Sequence, residues 1–287
     1  MSSAPGLSVV IPTRDRREIL SVTLTALDEQ RCLSERFEVV VVDDGSVDAT
    51  STWLAAQSFA SFELTRLATD GRGPAAARNL GIRSAAGRRV LLLGDDTIPN
   101  QETVAAHLNA TQGLQGPIEW DASQTVTEVM RFLAPEGPQF WFKGLEEGDL
   151  VAFTSVYAAN LSAPRQWFLK EPFDEGFPNA CFEDTEMAWR WVLRGWRVRF
   201  SQRPRCRHRH SYDRLEPILR RQRQAGAATR RLVRRHPRLL WRMLVVPVLV
   251  GARELVFHSV GPWRRPGERA KWDRQCRAAW LSGLLRG

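Results

Sequence analysis

Three runs in the first hundred residues leave a chain like this few folds to adopt. "LSVVI", "FEVVVV" and "RRVLLLG" carry apolar residues in succession rather than in alternation. A strand with one wet face alternates. A strand without alternation is covered on both faces, and such sheets are mostly parallel, with helices packed above and below. Between the runs, Ile19, Leu20, Leu24 and Leu27 have helical spacing, and residues 74–86 are Ala-rich with Pro74 at a first-turn position. The pattern predicts strands at 7–11, 37–42, 62–67 and 90–94, and helices at 16–30, 48–56, 74–86 and 101–112. That is an α/β, Rossmann-like, mostly parallel sheet with helices on both faces. Pro12 is expected to stop the first strand.

Downstream the regularity loosens. Residues 113–182 read as turns and aromatics with one strand-like run, "LVAFTSVYAANLS". A helix at 184–194 ends on Gly195, and a short strand follows at 196–200. Residues 213–235 carry an apolar stripe (Leu215, Ile218, Leu219, Leu232, Val233) in a helix otherwise dense in arginine. Further helices are expected at 239–258 and 268–285. The organisation predicted is a first half (1–112), a second half of the same domain (113–212) and a basic helical C-terminal extension (213–287).

Charge divides the chain near the same place. Residues 1–200 hold 19 Lys and Arg against 27 Asp and Glu, and residues 201–287 hold 22 against 5. So basic a rear faces something anionic, such as lipid head groups, nucleic acid or a phosphorylated acceptor, unless it only reflects a genome that uses arginine for lysine. Nothing at the N-terminus resembles a signal peptide, and no apolar run reaches the ~18 residues of a membrane span. Cys32, Cys181, Cys206 and Cys276 show neither CxxC nor zinc spacing. The expectation is a cytoplasmic protein with reduced thiols, peripheral at most on the inner face of the membrane.

Three polar clusters each follow a buried strand: "PTRDR" (12–16), "DDGS" (43–46) and "GDD" (94–96). Ligands of open parallel sheets bind beyond the strands' carboxyl ends, so three clusters at three such ends point to one cleft. No GxGxxG follows the first strand and no GxxxxGK[ST] occurs, which argues against dinucleotide and P-loop sites. Asp95 and Asp96 repel each other unless a metal, an arginine or water intervenes. A divalent metal there would also hold a diphosphate, since Mg2+ and Mn2+ bridge carboxylate to phosphate. Each cluster taken alone also has a plain structural reading, as a helix cap or a turn.

"LSVVIPTRDR", "VVVVDDGSVDAT", "GPAAARNLGIRSAAG", "LLLGDDTIP", "NLSAPR", "FDEGFPNACFEDTEMAWRWVLRGWRV" and a late "HRH" occur in this order. Together they resemble bacterial-type, inverting family 2 glycosyltransferases, which have the GT-A fold. The likeness covers residues 7–230 and leaves the last sixty or so aside.

The resemblance implies transfer of a sugar from a UDP-, GDP- or dTDP-linked donor to a glycan or lipid-linked acceptor hydroxyl, with Mg2+ or Mn2+, in cell-envelope polysaccharide synthesis. It makes 1–112 the nucleotide-sugar half and 113–212 the acceptor half. Pro12, Thr13 and Arg14, with Asp43 and Asp44, would hold the base and ribose. Arg78 would face the diphosphate or brace the metal carboxylates. Asp96 would be the main metal ligand, with Asp95 beside it near the ribose or sugar. The family often has an aspartate where Gly94 stands, which leaves open which carboxylate touches the metal. "FEDTE" sets Glu183, Asp184 and Glu186 at a helix start, where free N–H groups favour a charged carboxylate. Asp184, with Glu183 beside it, is the implied catalytic base. His208 and His210 are candidates to complete the metal or diphosphate site. Asn160 and Ser162 are candidate contacts to the sugar or acceptor. Trp141, Phe142 and Trp167 read as core first and sugar-stacking second, and His107 and His236 as structural or solvated.

Two other classes stay in view. A basic module binding a membrane surface or nucleic acid through its rear would not need the front clusters, and no nucleic-acid motif is present. A sugar-phosphate nucleotidyltransferase would carry a Gly-rich loop right after the first strand, where "PTRDR" has no glycine.

Overall fold

In the computed structural model, which describes residues 4–249 and 267–286 apart from 32, 136, 138 and 178, the first hundred residues alternate as the apolar runs require. The order is β1 (Leu7–Thr13), α1 (Arg17–Asp28), β2 (Phe37–Asp44), α2 (Thr50–Ala55), β3 (Glu63–Thr69), α3 (Pro74–Ser84), β4 (Arg89–Leu93), β5 (Thr97–Pro99) and α4 (Thr103–Leu108). Then come β6 (Gly113–Gln115), β7 (Ile118–Trp120), α5 (Glu128–Leu133), β8 (Asn160–Pro164), α6 (Arg165–Lys170), α7 (Glu183–Leu193), β9 (Val198–Phe200) and β10 (Cys206–His208). These belong to one compact unit, residues 1–211; a second, residues 212–287, contains α8 (Glu216–Arg235) and α9 (Glu268–Arg286).

The main sheet runs β3-β2-β1-β4-β8-β6-β9. β3, β2, β1 and β4 are parallel, β8 is antiparallel to both its neighbours, and β9 is parallel to β6. Val9, Ile11, Val39, Val41 and Leu91 form one buried cluster with Leu20, Leu24 and Leu27 of α1. α3 packs on β1 and β2. Its small residues permit this: a Cβ on Gly81 would stand 2.5 Å from a Val10 methyl. With both faces covered, each buried Val or Leu contributes about 1.5–3 kcal/mol of transfer free energy, which is why these runs tolerate no polar face.

Three expectations are corrected. Pro12 does not stop β1: it lies opposite Val42, and the strand runs on to Thr13. The pairing of β1 with β4 has already ended at Val10, so the missing Pro12 N–H removes nothing from that ladder. The run at 150–162 is not one strand: Phe153–Ser155 form a 3-10 turn and β8 begins only at Asn160. The helix expected at 101–112 is the single short α4.

A second sheet, β5-β10-β7, is built from three-residue strands, with β10 antiparallel to β5 and parallel to β7. In the second unit α8 and α9 pack at a glycine crossing, where a Cβ on Gly226 or Gly283 would fall on the backbone of the opposite helix. Of the helix expected at 239–258, Pro237–Leu239 and Trp241–Val245 are helical turns, and 250–258 lie outside the described residues. Among the described residues no helix is long and apolar enough to cross a membrane. Cys181, Cys206 and Cys276 are buried; Cys32 lies outside the described residues.

Candidate functional site

β1 and β4 are neighbours in the sheet, so the loops that follow them meet. Thr13, the last residue of β1, donates its hydroxyl to Asp95 Oδ2 at 2.9 Å, and Thr23 of α1 donates to the Asp95 carbonyl at 2.7 Å. The turn after β4 is tight. A Cβ on Gly94 would stand 2.6 Å from Thr97 Oγ1 and 3.1 Å from Asp96 Oδ1. A side chain there would run into the Thr97 hydroxyl and crowd the Asp96 carboxylate.

The counter-charge for this pair is one the sequence reading passed over. Arg16, at the start of α1, sets Nη1 3.4 Å from Asp95 Oδ1 and Nη2 2.8 Å from Asp96 Oδ2. The same Nη2 lies 3.0 Å from His210 Nδ1. His208 Nε2 and His210 Nδ1 stand 3.3 and 3.5 Å from Asp96 Oδ2. Both candidate histidines therefore reach the Asp96 carboxylate. The second sheet brings them there: His208 pairs with Thr97, and the Arg209 N–H donates to the Asp96 carbonyl at 2.9 Å. The His208 ring lies between Trp120 and Phe140, with Nδ1 buried and lacking a hydrogen-bond partner.

The two carboxyls are pushed apart. Burial, and then the Asp96 charge, raise Asp95 to about 7, against the pull of Arg16 and the Thr13 hydroxyl. Burial also acts to raise Asp96, but His208, His210 and Arg16 outweigh it and hold that carboxyl well below its ordinary range.

The "DDGS" loop is laced to "PTRDR". Asp15, in the left-handed region (φ 52°), accepts from the N–H groups of Val47 and Asp48 at 2.7 and 3.2 Å, and its own N–H donates to Ser46 Oγ at 2.8 Å. Asp43 accepts from the Ser46 N–H and the Ser51 hydroxyl. Asp44 accepts from the Thr69 hydroxyl and the Gly73 N–H. Both are buried at the rim and hold the loops that follow β2 and β3. Pro12 is half-buried, and Arg14 is exposed beside Gly71 with an ion pair to Asp15.

On the other side of the sheet's end, α7 starts with Phe182 in the left-handed region and Glu183 turned inward. Asp184 is half-exposed. Its Oδ1 accepts the Thr185 N–H at 2.7 Å, and its Oδ2 faces the Ala158 N–H at 3.4 Å. The next carbonyl, Ala159, accepts the N–H of Gly94 at 3.3 Å. One backbone segment thus connects Asp184 to the Asp95–Asp96 turn.

Several other candidate residues lie inside the protein. Arg78 neither braces Asp95 and Asp96 nor lies solvated: its Nη1 donates to Glu183 Oε1 at 2.8 Å inside the protein. Glu183, 2% exposed, is held inside the protein at the start of α7. Burial, and then the Asp184 charge, push its carboxyl up to about 7, against Arg78. Asn160 and Ser162 are wholly buried and do not present themselves to an acceptor. They hold His107, whose Nδ1 lies 2.8 Å from Ser162 Oγ and Nε2 3.0 Å from Asn160 Oδ1. Burial lowers that imidazole to about 3, so it is neutral. Trp167 stacks on Trp196 and Phe142 on Phe200, while Trp141 is exposed.

The donor chemistry fits a divalent cation, with a buried carboxylate faced by imidazole nitrogens. Among the described residues no group of three or more His, Cys, Asp or Glu is arranged to hold one, and Arg16 lies on the Asp96 oxygen it would use.

Sheet order, rim carboxylates and a covered parallel core describe a GT-A fold. Residues 8–114 match the family described as Glycosyl transferase family 2. An uncharacterised glycosyltransferase, YfnE, of Bacillus subtilis is 39% identical over 106 residues, 36% of this chain and 26% of that protein. The poly(ribitol-phosphate) β-N-acetylglucosaminyltransferase TarS of Staphylococcus aureus is 33% identical over 98 residues, 34% of this chain and 17% of that protein. The chain thus spans about a quarter or less of the length of these relatives. Among solved structures, a mannosyltransferase of Pyrobaculum calidifontis, in complex with GDP-mannose and Mn2+, matches 99% of this chain and 87% of its own, at 16% identity and TM-score 0.63. A TarS structure with UDP matches 78% of this chain and 65% of its own, at 20% identity and TM-score 0.53. These likenesses show the fold.

Proposed function

We propose that the protein is an inverting glycosyltransferase that moves a sugar from a nucleoside diphosphate sugar to an acceptor hydroxyl with a divalent cation, Mn2+ or Mg2+. The observation that carries this is the approach of His208 and His210 to Asp96 Oδ2, with Asp95 next to it in the turn, at the carboxyl end of a parallel sheet. The neighbours' complexes with UDP and with GDP-mannose and Mn2+ support a donor of this class. Asp96, with His208 or His210, would hold the cation, and Asp95 would lie beside it toward the ribose or sugar. The loops of Arg14, Asp43 and Asp44 would frame the base and ribose. A bound cation would supply positive charge to the departing diphosphate. Asp184, kept oriented by the Thr185 N–H, would take the proton of the acceptor hydroxyl. That oxygen attacks the anomeric carbon from the face opposite the nucleotide, and the nucleoside diphosphate leaves. The test is transfer or hydrolysis with a panel of UDP-, GDP- and dTDP-linked sugars and Mn2+ or Mg2+. Asp96→Ala and Asp184→Asn should each lower turnover by about 100-fold or more; unchanged turnover in both defeats the assignment.

A second reading concerns where the acceptor resides. Leu240, Trp241, Val246, Val248 and Leu249 are exposed next to Arg238 and Arg242. An apolar group rimmed by arginine suits the interface of an anionic membrane carrying a lipid-linked acceptor, which vesicle flotation tests.

A further inference from the structure

Two adjacent buried carboxylates need a counter-charge in every state of the protein, including before any metal or substrate arrives. Arg16 supplies it. We propose that Arg16 is the resident counter-cation of Asp95 and Asp96, that it exchanges with the divalent cation, and that its released guanidinium becomes a ligand for the donor's diphosphate. The inference rests on the reading of Asp96 as the cation-binding carboxylate.

Four observations carry it. The first is a shared oxygen. Asp96 Oδ2 lies 2.8 Å from Arg16 Nη2 and 3.3 and 3.5 Å from His208 and His210. A cation taking Asp96 and an imidazole needs the oxygen, and in the case of His210 the nitrogen, that Arg16 already engages. A guanidinium is always protonated, so the two positive groups exclude each other there. The second is the difference in freedom. The side chains of Asp95 and Asp96 are 9% and 13% exposed, and Asp95 is pinned by Thr13 and Thr23. The Arg16 side chain is 32% exposed and has an open side to move toward.

The third is position. Arg16 occupies the N-cap of α1 and makes no side-chain cap there. Ser, Thr, Asp or Asn at that position stabilises a helix by typically about 1 kcal/mol over other residues. The helix gives up that cap, and its N-cap residue reaches the carboxylates instead. The fourth is shape. One guanidinium nitrogen meets each carboxylate, as a bridging cation would, and the same planar fork matches two phosphate oxygens. The consequence is coupling. A metal alone must displace an internal cation, whereas a metal arriving with a diphosphate gives that cation a new partner. Metal and nucleotide should therefore favour each other's binding, and reciprocally so.

The experiment measures Mn2+ binding to the full chain by the loss of the free-ion electron paramagnetic resonance signal, with and without UDP or GDP. It compares wild type, Arg16→Gln, Arg16→Lys and Asp96→Asn. Arg16→Gln is expected to bind Mn2+ alone about tenfold more tightly than wild type, and to gain less than wild type does from added nucleotide. Arg16→Lys, a point charge that cannot span both carboxylates, is expected to fall between them, and it carries the test if the glutamine variant does not fold. The proposal is overturned if both Arg16 variants bind Mn2+ no more tightly than wild type while Asp96→Asn abolishes binding. Wild-type Mn2+ binding by Asp96→Asn instead removes the reading of Asp96, and the proposal with it.

Discussion

The buried pair of Arg78 and Glu183 offers the sharpest quantitative test of how α7 is held. Arg78 comes from α3 and Glu183 is the first residue of α7, so the 2.8 Å contact ties the helix that carries Asp184 to the one lying on the sheet. Each group is only half satisfied, because Arg78 Nε and Glu183 Oε2 are buried without hydrogen-bond partners. Such a pair adds little net stability over a neutral replacement, yet removing one partner costs about 3–5 kcal/mol because the other charge is stranded. The cost must depend on pH. The Glu183 carboxyl is raised from 4.5 to about 7 by burial and by Asp184. The native state therefore holds a proton that the unfolded chain has lost between those values, and stability falls as pH rises through that window, by up to about 1.4 kcal/mol per pH unit. At pH 5 Glu183 is mostly protonated and Arg78→Met should be mild. At pH 8 the same variant strands a carboxylate and should lose about 3–5 kcal/mol. Arg78→Met/Glu183→Gln should return to within about 1 kcal/mol of wild type at both pH values. Urea unfolding followed by tryptophan fluorescence reads all of this. An Arg78→Met loss that is equal at pH 5 and pH 8, or a double variant no better than the single one at pH 8, would refute the reasoning.

The remaining expectations concern the second unit. Gly283→Ala places a methyl group on the Arg223 backbone of α8, where no flexible side chain can yield. It should cost at least about 1–3 kcal/mol and lower the thermal midpoint of the α8–α9 pair, as seen by circular dichroism; an unchanged midpoint would contradict the close crossing. Flotation with anionic vesicles at low salt should carry wild type up the gradient, and Trp241→Ala/Leu249→Ala should weaken it. Equal flotation with neutral vesicles, or none with anionic ones, rules out the membrane contact.

What was legible in the sequence follows from what periodicity can register. β1, β2 and β4 are covered on both faces, and unbroken apolar runs announce that without knowledge of any partner. β5, β7 and β10 have three residues each, too few to show a period, although this sheet is what carries His208 to Asp96. The convergence of the three rim clusters was readable because parallel strands end on the same side. The roles of single polar residues were not, because they depend on partners far along the chain. Arg78 finds Glu183 across 105 positions, and Asn160 and Ser162 are buried because His107 satisfies them across 53 and 55.

Arg14 and Arg16 show where such reading stops. They are two residues apart in one motif and indistinguishable by composition, and the sequence reading took Arg14 for the site. The separation is made by the backbone of Asp15, whose left-handed φ of 52° turns the chain between them. Arg14 is left exposed with Asp15 as its partner, while Arg16 takes the N-cap position of α1 and points at the carboxylates. Aspartate tolerates that conformation better than most residues, and here its carboxylate is also consumed by the Val47 and Asp48 N–H groups. The hydrogen bonds that lace the first two loops together are therefore the same ones that decide which arginine meets the acidic pair.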